Sequence, residues 1–407
     1  MVRNNMTTQA LKNWQKYKLG DLAQDVRQLY TPTKDEKLPY VGLEHIEQQT
    51  LHLSGVGQSN ETESTKKIFK SGDVLFGTLR PYFRKVTRPK FNGVCSTDIA
   101  VIRPTKNSDG NFLKYFIANQ DFIDHASNIS SGTRMPRINW KVLKNQVCLF
   151  PKLTVQKEIG DILVAYDDLI ENNTRRIQIL EQMAQAIYTE WFDSLASSWK
   201  IMPLRDVIKS YIGGGWGKED PDKKYSGSAY VIRGTDIPKA SVGDVSTCPL
   251  RYHTPSNLKN RVLQDGDLVF EVSGGSKGQP VGRSLLVTSK FLDQFNQNII
   301  CASFCKLIRP DQNKISPFQL YEQILSWYAI GIIEKYQVQS TGISNFRFES
   351  FIDEEKVALP SQEVRDKFDD IVSPLFDEIY SLGNRNQNLR QTRDLLLPKL
   401  VNGEIRV

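Results

Sequence analysis

The sequence predicts an α+β fold: two similar mixed α/β domains separated by two long helices, which pair as an antiparallel coiled coil with pseudo-twofold symmetry. Three observations predict it. The stretch Val155–Phe192 has no proline and, after Gly160, no glycine, and it is dense in strong helix formers. A nearly identical pattern returns 209 residues later. Each long helix is preceded by β-rich runs and one amphipathic segment in the same order.

The first helix places Ile159, Leu163, Tyr166, Ile170, Asn173, Ile177, Leu180, Ala184, Ile187 and Trp191 at alternating steps of four and three. Such a narrow seam on a long helix requires a partner helix along most of its length. The partner is in the same chain. Adding 209 gives Phe368, Val372, Leu375, Ile379, Leu382, Asn386, Leu389, Arg393, Leu396 and Leu400. The match extends beyond the seam, to Pro151 with Pro360, Asp161 with Asp370, Asp168 with Asp377, Arg176 with Arg385, Gln178 with Gln387 and Gln182 with Gln391. Pro374 should break or kink the second helix, and Leu397-Pro398-Lys399-Leu400 with Asn402-Gly403 should end it.

Ahead of the first helix, runs at Leu38–Ile46, Gly72–Leu79 and Asp98–Arg103 read as strands. One amphipathic helix follows, carrying Phe112, Tyr115, Phe116, Asn119, Phe122, Ile123 and Ala126. The second half repeats this order. Tyr230–Ile237 echoes Tyr40–Ile46, the GDLVF at 266–270 echoes the GDVLF at 72–76, Ile308-Arg309-Pro310 echoes Ile102-Arg103-Pro104, and a helix over Phe318–Tyr336 echoes that at Phe112. The offsets of later elements grow from 194 to 206 to 209, so the halves differ by loop insertions. The expected division is a first domain over 1–150, the first spacer helix over 151–193, a second domain over 194–359, and the second spacer helix with a tail over 360–407. Residues 1–13 are expected to be a poorly ordered arm, and Ser194–Ser198 a short linker.

At 407 residues the chain is too long for one compact core. It has 39% hydrophobic residues and no apolar run of about 18 residues, which argues against a membrane span. Nothing in the first residues resembles a signal peptide, so the expected location is the cytoplasm. Five cysteines and four histidines without metal-ligand spacing point to structural burial rather than to disulfides or a metal site. The net charge of +7 permits an anionic partner.

Catalytic constellations are missing from the sequence. It contains no [DN]-P-P-[FYW] motif of amino-methyltransferases and no GxxxxGK[ST] phosphate loop. The glycine-rich stretches 213–217 and 274–278 lack dinucleotide-binding spacing. Pro310-Asp311 with Glu354-Glu355-Lys356 can be written as a nuclease pattern, but solvated charge is the commoner reason for such short runs.

Two kinds of loop resemble binding surfaces instead. LRPYFRKVTRPK (79–90) interleaves Arg80, Arg84, Lys85, Arg88 and Lys90 with Tyr82 and Phe83 directly after a strand, a combination suited to phosphate and base contact. SSGTRMPRINWK (130–141) carries Arg134 and Arg137 in a Gly/Pro turn, and its counterpart STGISNFR ends in Arg347. In the second half, SGGSKGQPVGR occupies the place of the Arg80 loop, bringing Ser273, Lys277 and Arg283.

Together, the helix segment FPKLTVQKEIGDILVAYDDLIENNTRRIQILEQMAQAIYTEWF, the ending LLLPKLVNGEIRV, GDVLFGTLRPYFRK and GVCSTDIAVIRP resemble the specificity subunit of type I restriction-modification systems. GDLVFEVSGGSKGQPVGRSLL is similar to another variant of the same recognition domain. The resemblance covers nearly the whole chain. It implies a non-enzymatic reader of double-stranded DNA with two target-recognition domains, each reading one half of a split site. It also implies helices that dock two adenine methyltransferase subunits, with two restriction/translocase subunits joining them. S-adenosylmethionine, ATP and Mg²⁺ would sit on those partners and no cofactor on this chain.

Independently of the resemblance, a pseudo-twofold pair of domain-plus-helix repeats needs antiparallel helices, which would put the domains at opposite ends. About 33 seam residues at 1.5 Å rise give roughly 50 Å, on the order of 15 base pairs. Two other readings remain: a two-domain coiled-coil scaffold without specific DNA binding, and a stand-alone nuclease. For the helix register, a constant residue-number sum of 559 pairs Asn173 with Asn386, Leu163 with Leu396, Ile170 with Leu389 and Ile177 with Leu382. Tyr166 then faces Arg393, whose charge is expected to reach solvent.

Overall fold

The computed structural model describes residues 14–130, 132, 134–194, 199–274, 279–340 and 343–407. The arm at 1–13, linker residues 195–198 and Lys277 lie outside the described residues. The chain forms two compact units, Met1–Glu171 with Leu389–Val407, and Asn172–Asn388. Each unit therefore includes part of both long helices.

In unit 1 a four-stranded antiparallel sheet has the order Ala23–Val26, Ile99–Pro104, Val74–Gly77, Val86–Thr87. A five-stranded sheet contains Pro39–Val41 pairing parallel to Gly93–Cys95. Gln15–Lys18 pairs with Val147–Phe150, closing the unit just before the long helix. Unit 2 repeats the plan. Its four-stranded sheet runs Ile208–Gly213, Cys305–Pro310, Leu268–Glu271, Ser284–Leu286. Gly227–Ile232 pairs parallel to Asn298–Cys301, and Lys200–Pro203 pairs with Lys356–Leu359.

The repeated sequence motifs have a structural basis. In GDVLF, Asp73 accepts from the Lys70 N–H at 2.8 Å and takes Arg103 of the IRP motif in a two-pronged bond, 2.7 Å on each side. In GDLVF, Asp267 accepts from Gln264 N–H at 2.7 Å and holds Arg309 at 2.7 and 2.6 Å. The same carboxylate thus fixes the turn and locks two neighbouring strands, and its burial makes the fork geometry of arginine a requirement.

The amphipathic segment of unit 1 is two helices rather than one: α1 (Gly110–Ala118) and α2 (Gln120–Asn128). Asn119 leaves helical geometry at ψ 140°, and its buried amide donates to Asn402 Oδ1 at 2.8 Å. The Asn119 N–H closes α1 on Phe116 O at 3.2 Å, and its C=O opens α2 by accepting from Ile123 N–H at 3.0 Å. The first long helix, α3, covers Leu153–Ser194. In unit 2, α4 (Pro317–Ala329) is capped by Ser316 and stops well before Tyr336. Gly331, at φ +78°, turns the chain into a short 3-10 segment at Ile333–Tyr336.

The second long helix, α5, runs without interruption over Gln362–Val401, through both Pro374 and Pro398. The expected break at Pro374 does not occur. A proline inside a helix costs about 3 kcal/mol, and the flanking side chains outweigh it. Phe368, Val372, Phe376, Ile379 and Tyr380 are all at most 4% exposed and join the unit 2 core with Ile177, Ala184, Tyr188 and Phe192 of α3. At about 1.5–3 kcal/mol for each large side chain buried, that face holds the helix together. In unit 1, Ile159 and Leu163 of α3 and Leu397, Leu400 and Val401 of α5 join a core built on Phe112, Tyr115 and Phe150.

All five cysteines are buried and free. Among the described residues, no helix is long and apolar enough to cross a membrane.

Candidate nucleic-acid interface

In unit 1 two loops that lie far apart in sequence form one surface. Leu79 and Arg137 make an antiparallel bridge, the Arg80 N–H donates to Pro136 O at 2.9 Å, and Ile138 N–H donates to Thr78 O at 3.1 Å. The Arg80 loop and the Arg134–Arg137 turn are therefore neighbours. Arg134 and Arg137 are exposed there, with Tyr82 at 49% and Met135 at 48%. Arg137 is tethered to Asp98 at 3.0 Å, a bond that raises its pKa while leaving the guanidinium in solvent.

The other cations of this loop are committed to the unit itself. Arg80 and Arg84 both have φ 51°, and the 3-10 turn Pro81–Phe83 between them folds the loop back on the domain. Arg84 donates to Ala118 O at 2.6 Å and lies 3.7 Å from Asp394; burial lowers its pKa against the pull of that carboxylate. Lys85 donates to Leu43 O, and burial lowers its pKa too. Arg88 binds Gly72 O at 3.0 Å and Asn111 Oδ1 at 2.8 Å. Lys90 pairs with Asp168 at 2.8 Å. Arg80 is half-buried, and its Nε has no hydrogen-bond partner. Tyr82 is the loop's exposed ring, Arg80 is only half-buried, and Arg84, Lys85 and Arg88 shape the loop.

Unit 2 joins the corresponding loops in the same way. Ser273–Gly274 pairs with Ile343–Phe346, and Ser273 Oγ donates to Asn345 Oδ1 at 2.9 Å. Arg347 is exposed, with one bond to Lys335 O at 2.9 Å. Arg283 points inward. Its guanidinium forms a fork with Glu271 at 2.8 and 2.6 Å, and that bond holds its pKa above the ordinary value. The pair forms one wall of a cleft of about 780 Å³ that also exposes Trp216, Arg233 and Phe304. Phe304 is 59% exposed, and the Arg251 guanidinium lies 4.3 Å over the Trp216 ring. Trp216 sits inside the glycine stretch 213–217, which marks the spot in sequence; nothing in the sequence marks Phe304.

On the long helices Asn173 Nδ2 donates to Asn386 Oδ1 at 3.0 Å, and Asn386 Nδ2 donates to Thr174 Oγ1 at 3.2 Å. The two seam asparagines form one buried polar layer in unit 2. Three residues of α3 beyond Asn173, Arg176 binds Glu378 at 2.7 Å, so partner numbers fall on α5 as they rise on α3.

Arg393 departs from the sequence expectation. Its side chain is fully buried and its charge does not reach solvent: Nη1 donates to Asp167 Oδ1 at 2.6 Å and to Thr50 O at 2.9 Å. Asp167, one residue beyond the expected Tyr166, also accepts from Lys114 and from Tyr115 at 2.6 Å. Burial alone would raise the Asp167 pKa, but Lys114, Arg393 and His52 hold it below the usual carboxylate range. Burial pushes His52 down to about 4, so it is neutral at pH 7. A guanidinium with a buried carboxylate to meet is more stable inside than snorkelling past a tyrosine.

The residues of the nuclease pattern have other partners: Asp311 pairs with Lys314 at 3.3 Å, while Glu354 and Glu355 accept from Tyr336 at 3.2 and 2.7 Å. Among the described residues, no group of three or more His, Cys, Asp or Glu side chains is arranged to hold a metal ion.

Residues 11–182 match the family model described as the type I restriction modification DNA specificity domain. The MjaIX type I restriction enzyme specificity subunit of Methanocaldococcus jannaschii is 22% identical over 97% of this chain and 94% of its own length. The chain thus resembles the specificity subunits of type I restriction enzymes. The EcoDI specificity subunit of Escherichia coli is 30% identical over 49% of this chain and 46% of that subunit. In fold, the chain matches the crystal structure of a type I restriction-modification system S subunit from M. genitalium, with a TM-score of 0.58, 15% identity and 98% of each chain covered.

Proposed function

We propose that this chain is the DNA-recognition subunit of a type I restriction-modification complex, and that each of its two recognition domains reads one half of a bipartite site. The observation that carries this reading is the alignment with a specificity subunit over 97% of the chain, which takes in both units and both long helices. The domains are assigned to residues 1–150 and 194–359, and the spacer helices to 151–193 and 360–407. The spacer helices form an antiparallel coiled coil with the Asn173–Asn386 layer setting its register. That role is supported by the buried amide pair, because a slide by one heptad would leave each amide against hydrocarbon at about 1–3 kcal/mol per unsatisfied group.

Arg80, Tyr82, Arg134 and Arg137 are assigned to one half-site. Ser273, Lys277 and Arg347 are assigned to the other. Arg84, Lys85 and Arg283 hold the reading loops in shape through their bonds to Ala118, Leu43 and Glu271. The exposed cations contact phosphate or guanine edges, and the aromatic rings meet sugar or base. The helices dock two methyltransferase subunits, which bring S-adenosylmethionine. Two restriction/translocase subunits bring ATP and Mg²⁺, and this chain carries no catalytic step and no cofactor.

The test is methyl transfer to duplex DNA by the purified chain with and without its methyltransferase partner. Sequence-specific transfer is expected only with both present. Transfer by the isolated chain, or site choice unaffected by which specificity chain is supplied, would overturn the assignment. A scaffold without specific binding is separated by salt titration, since phosphate contacts make affinity fall steeply with salt.

A further inference from the structure

Unit 2 contains a cavity of about 620 Å³ lined by α3, α4 and α5, in which polar side chains from α3 and α4 meet an apolar wall of Leu325, Phe376 and Ile379. Gln178, Glu181, Gln182 and Gln185 form its rim on the exposed side of α3, and Tyr321 and Glu322 of α4 lie at its floor. Glu322 is 2% exposed, and its Oε2 has no hydrogen-bond partner. Glu322 thus lines the cavity while one oxygen of its carboxyl is buried without a donor, an arrangement that is costly for the ionised form.

The internal repeat indicates what is missing. The offset of 209 that relates the long helices maps Arg393 onto Ala184, Arg390 onto Glu181 and Asp167 onto Phe376. The offset of 206 that relates Phe112 to Phe318 maps Tyr115 onto Tyr321 and Phe116 onto Glu322. In unit 1 the equivalent place holds the buried Arg393 guanidinium, bonded to Asp167 and Thr50 O. In unit 2 an alanine replaces that arginine, and its helix neighbours Glu181 and Gln185 line the cavity, with carboxylates at floor and rim. One repeat carries its own cation with Asp167 as acceptor; the other has phenylalanine at the Asp167 position, a carboxylate at Glu322 instead, and the space.

We propose that this cavity is a binding site for a guanidinium or alkylammonium group, with Glu322 as the buried acceptor and Glu181 and the rim glutamines completing its bonds. Burial and the neighbouring Glu181 push the empty Glu322 carboxyl up to about 8. The other titratable groups around it are Tyr321 on α4 and Tyr380 on α5, both raised by burial and neutral. Cation binding therefore takes up the ionised carboxylate and strengthens as pH rises toward 8.

The probe is agmatine, titrated into the purified full-length chain by calorimetry. Saturable binding at one site is expected, at least tenfold weaker in Glu322→Gln and absent in Ala184→Arg, which would place the repeat's own cation in the cavity. Circular dichroism checks that both variants fold, and Glu322→Gln, which removes only the ability to ionise, stands alone if the larger side chain is not tolerated. No saturable binding to the folded chain, or unchanged affinity in Glu322→Gln, would overturn the proposal. Repeating the titration on the complex with the methyltransferase subunit distinguishes the two sources. Displaced agmatine identifies a partner's arginine as the occupant, and retained agmatine identifies a free amine or guanidine.

Discussion

Replacing Asn173 with leucine removes the donor that Asn386 Oδ1 receives at 3.0 Å, in a layer where Asn386 is 2% and Asn173 9% exposed. The partner amide cannot turn away to find water, because its Nδ2 is held by Thr174 Oγ1 at 3.2 Å. Stranding a buried acceptor costs about 1–3 kcal/mol, and the added hydrocarbon recovers part of that, so a net loss of about 1–2 kcal/mol is expected. The double variant Asn173→Leu with Asn386→Leu removes both polar partners and should return to within about 0.5 kcal/mol of wild type. The coupling energy is then at least about 1 kcal/mol, which separates a specific pair from two independent polar residues. Urea titrations followed by far-ultraviolet circular dichroism, compared at equal slope, would measure it. A neutral single variant, or a double variant as unstable as the sum of the singles, would refute the reasoning.

Asp267→Ala should destabilise unit 2 by about 2–3 kcal/mol, somewhat below the loss of a fully buried pair because Arg309 is 25% exposed and can rehydrate; urea titration of the variant reads it. Arg84→Ala should lower the stability of unit 1 by about 1–3 kcal/mol through its lost bond to Ala118 O, with little effect on the salt dependence of DNA binding. Arg137→Ala should leave the melting temperature nearly unchanged while weakening DNA binding, flattening the salt slope by about 1 if the contact is to phosphate. Glu322→Gln should raise stability in a pH-dependent way. The folded carboxyl titrates at about 8 against an ordinary 4.5, so the wild type loses stability as pH rises from 4.5 to 8 while the amide does not. The gain is near zero at pH 4.5 and reaches a few kcal/mol at pH 8; melts across that range would show a constant difference if the reasoning is wrong.

Where the signal was periodic, the sequence revealed much of this molecule. The seam at steps of four and three located both long helices, and the sum of 559 brought Asn173 to Asn386 because amides at equivalent seam positions have one mutually satisfying alignment. The echoes GDVLF/IRP and GDLVF/IRP mark matching strands because each contains the Asp–Arg fork that ties its two strands together. Local rules failed where tertiary partners decide. Pro374 does not end α5 because the buried face around it is large, and Asn119 splits the amphipathic segment where its amide meets Asn402. Arg393 lies inside because Asp167 sits one residue from the seam. Charge density was the least reliable guide. The run from Arg80 to Lys90 reads as a uniform basic loop, yet two left-handed residues turn Arg84, Lys85 and Arg88 toward acceptors of the domain. The exposed ring of Phe304 carries no sequence signature, since exposure of a single aromatic depends on which loop it tops.

On the proposed function, this chain chooses a split DNA site for a methyltransferase supplied by a partner subunit. Single-molecule sequencing of host DNA, with and without this chain, measures that choice directly. A methylated adenine in each part of a bipartite motif, separated by an unread spacer and lost when the chain is removed, is the predicted result. An unchanged methylation map, or a motif that is continuous and unsplit, would contradict it.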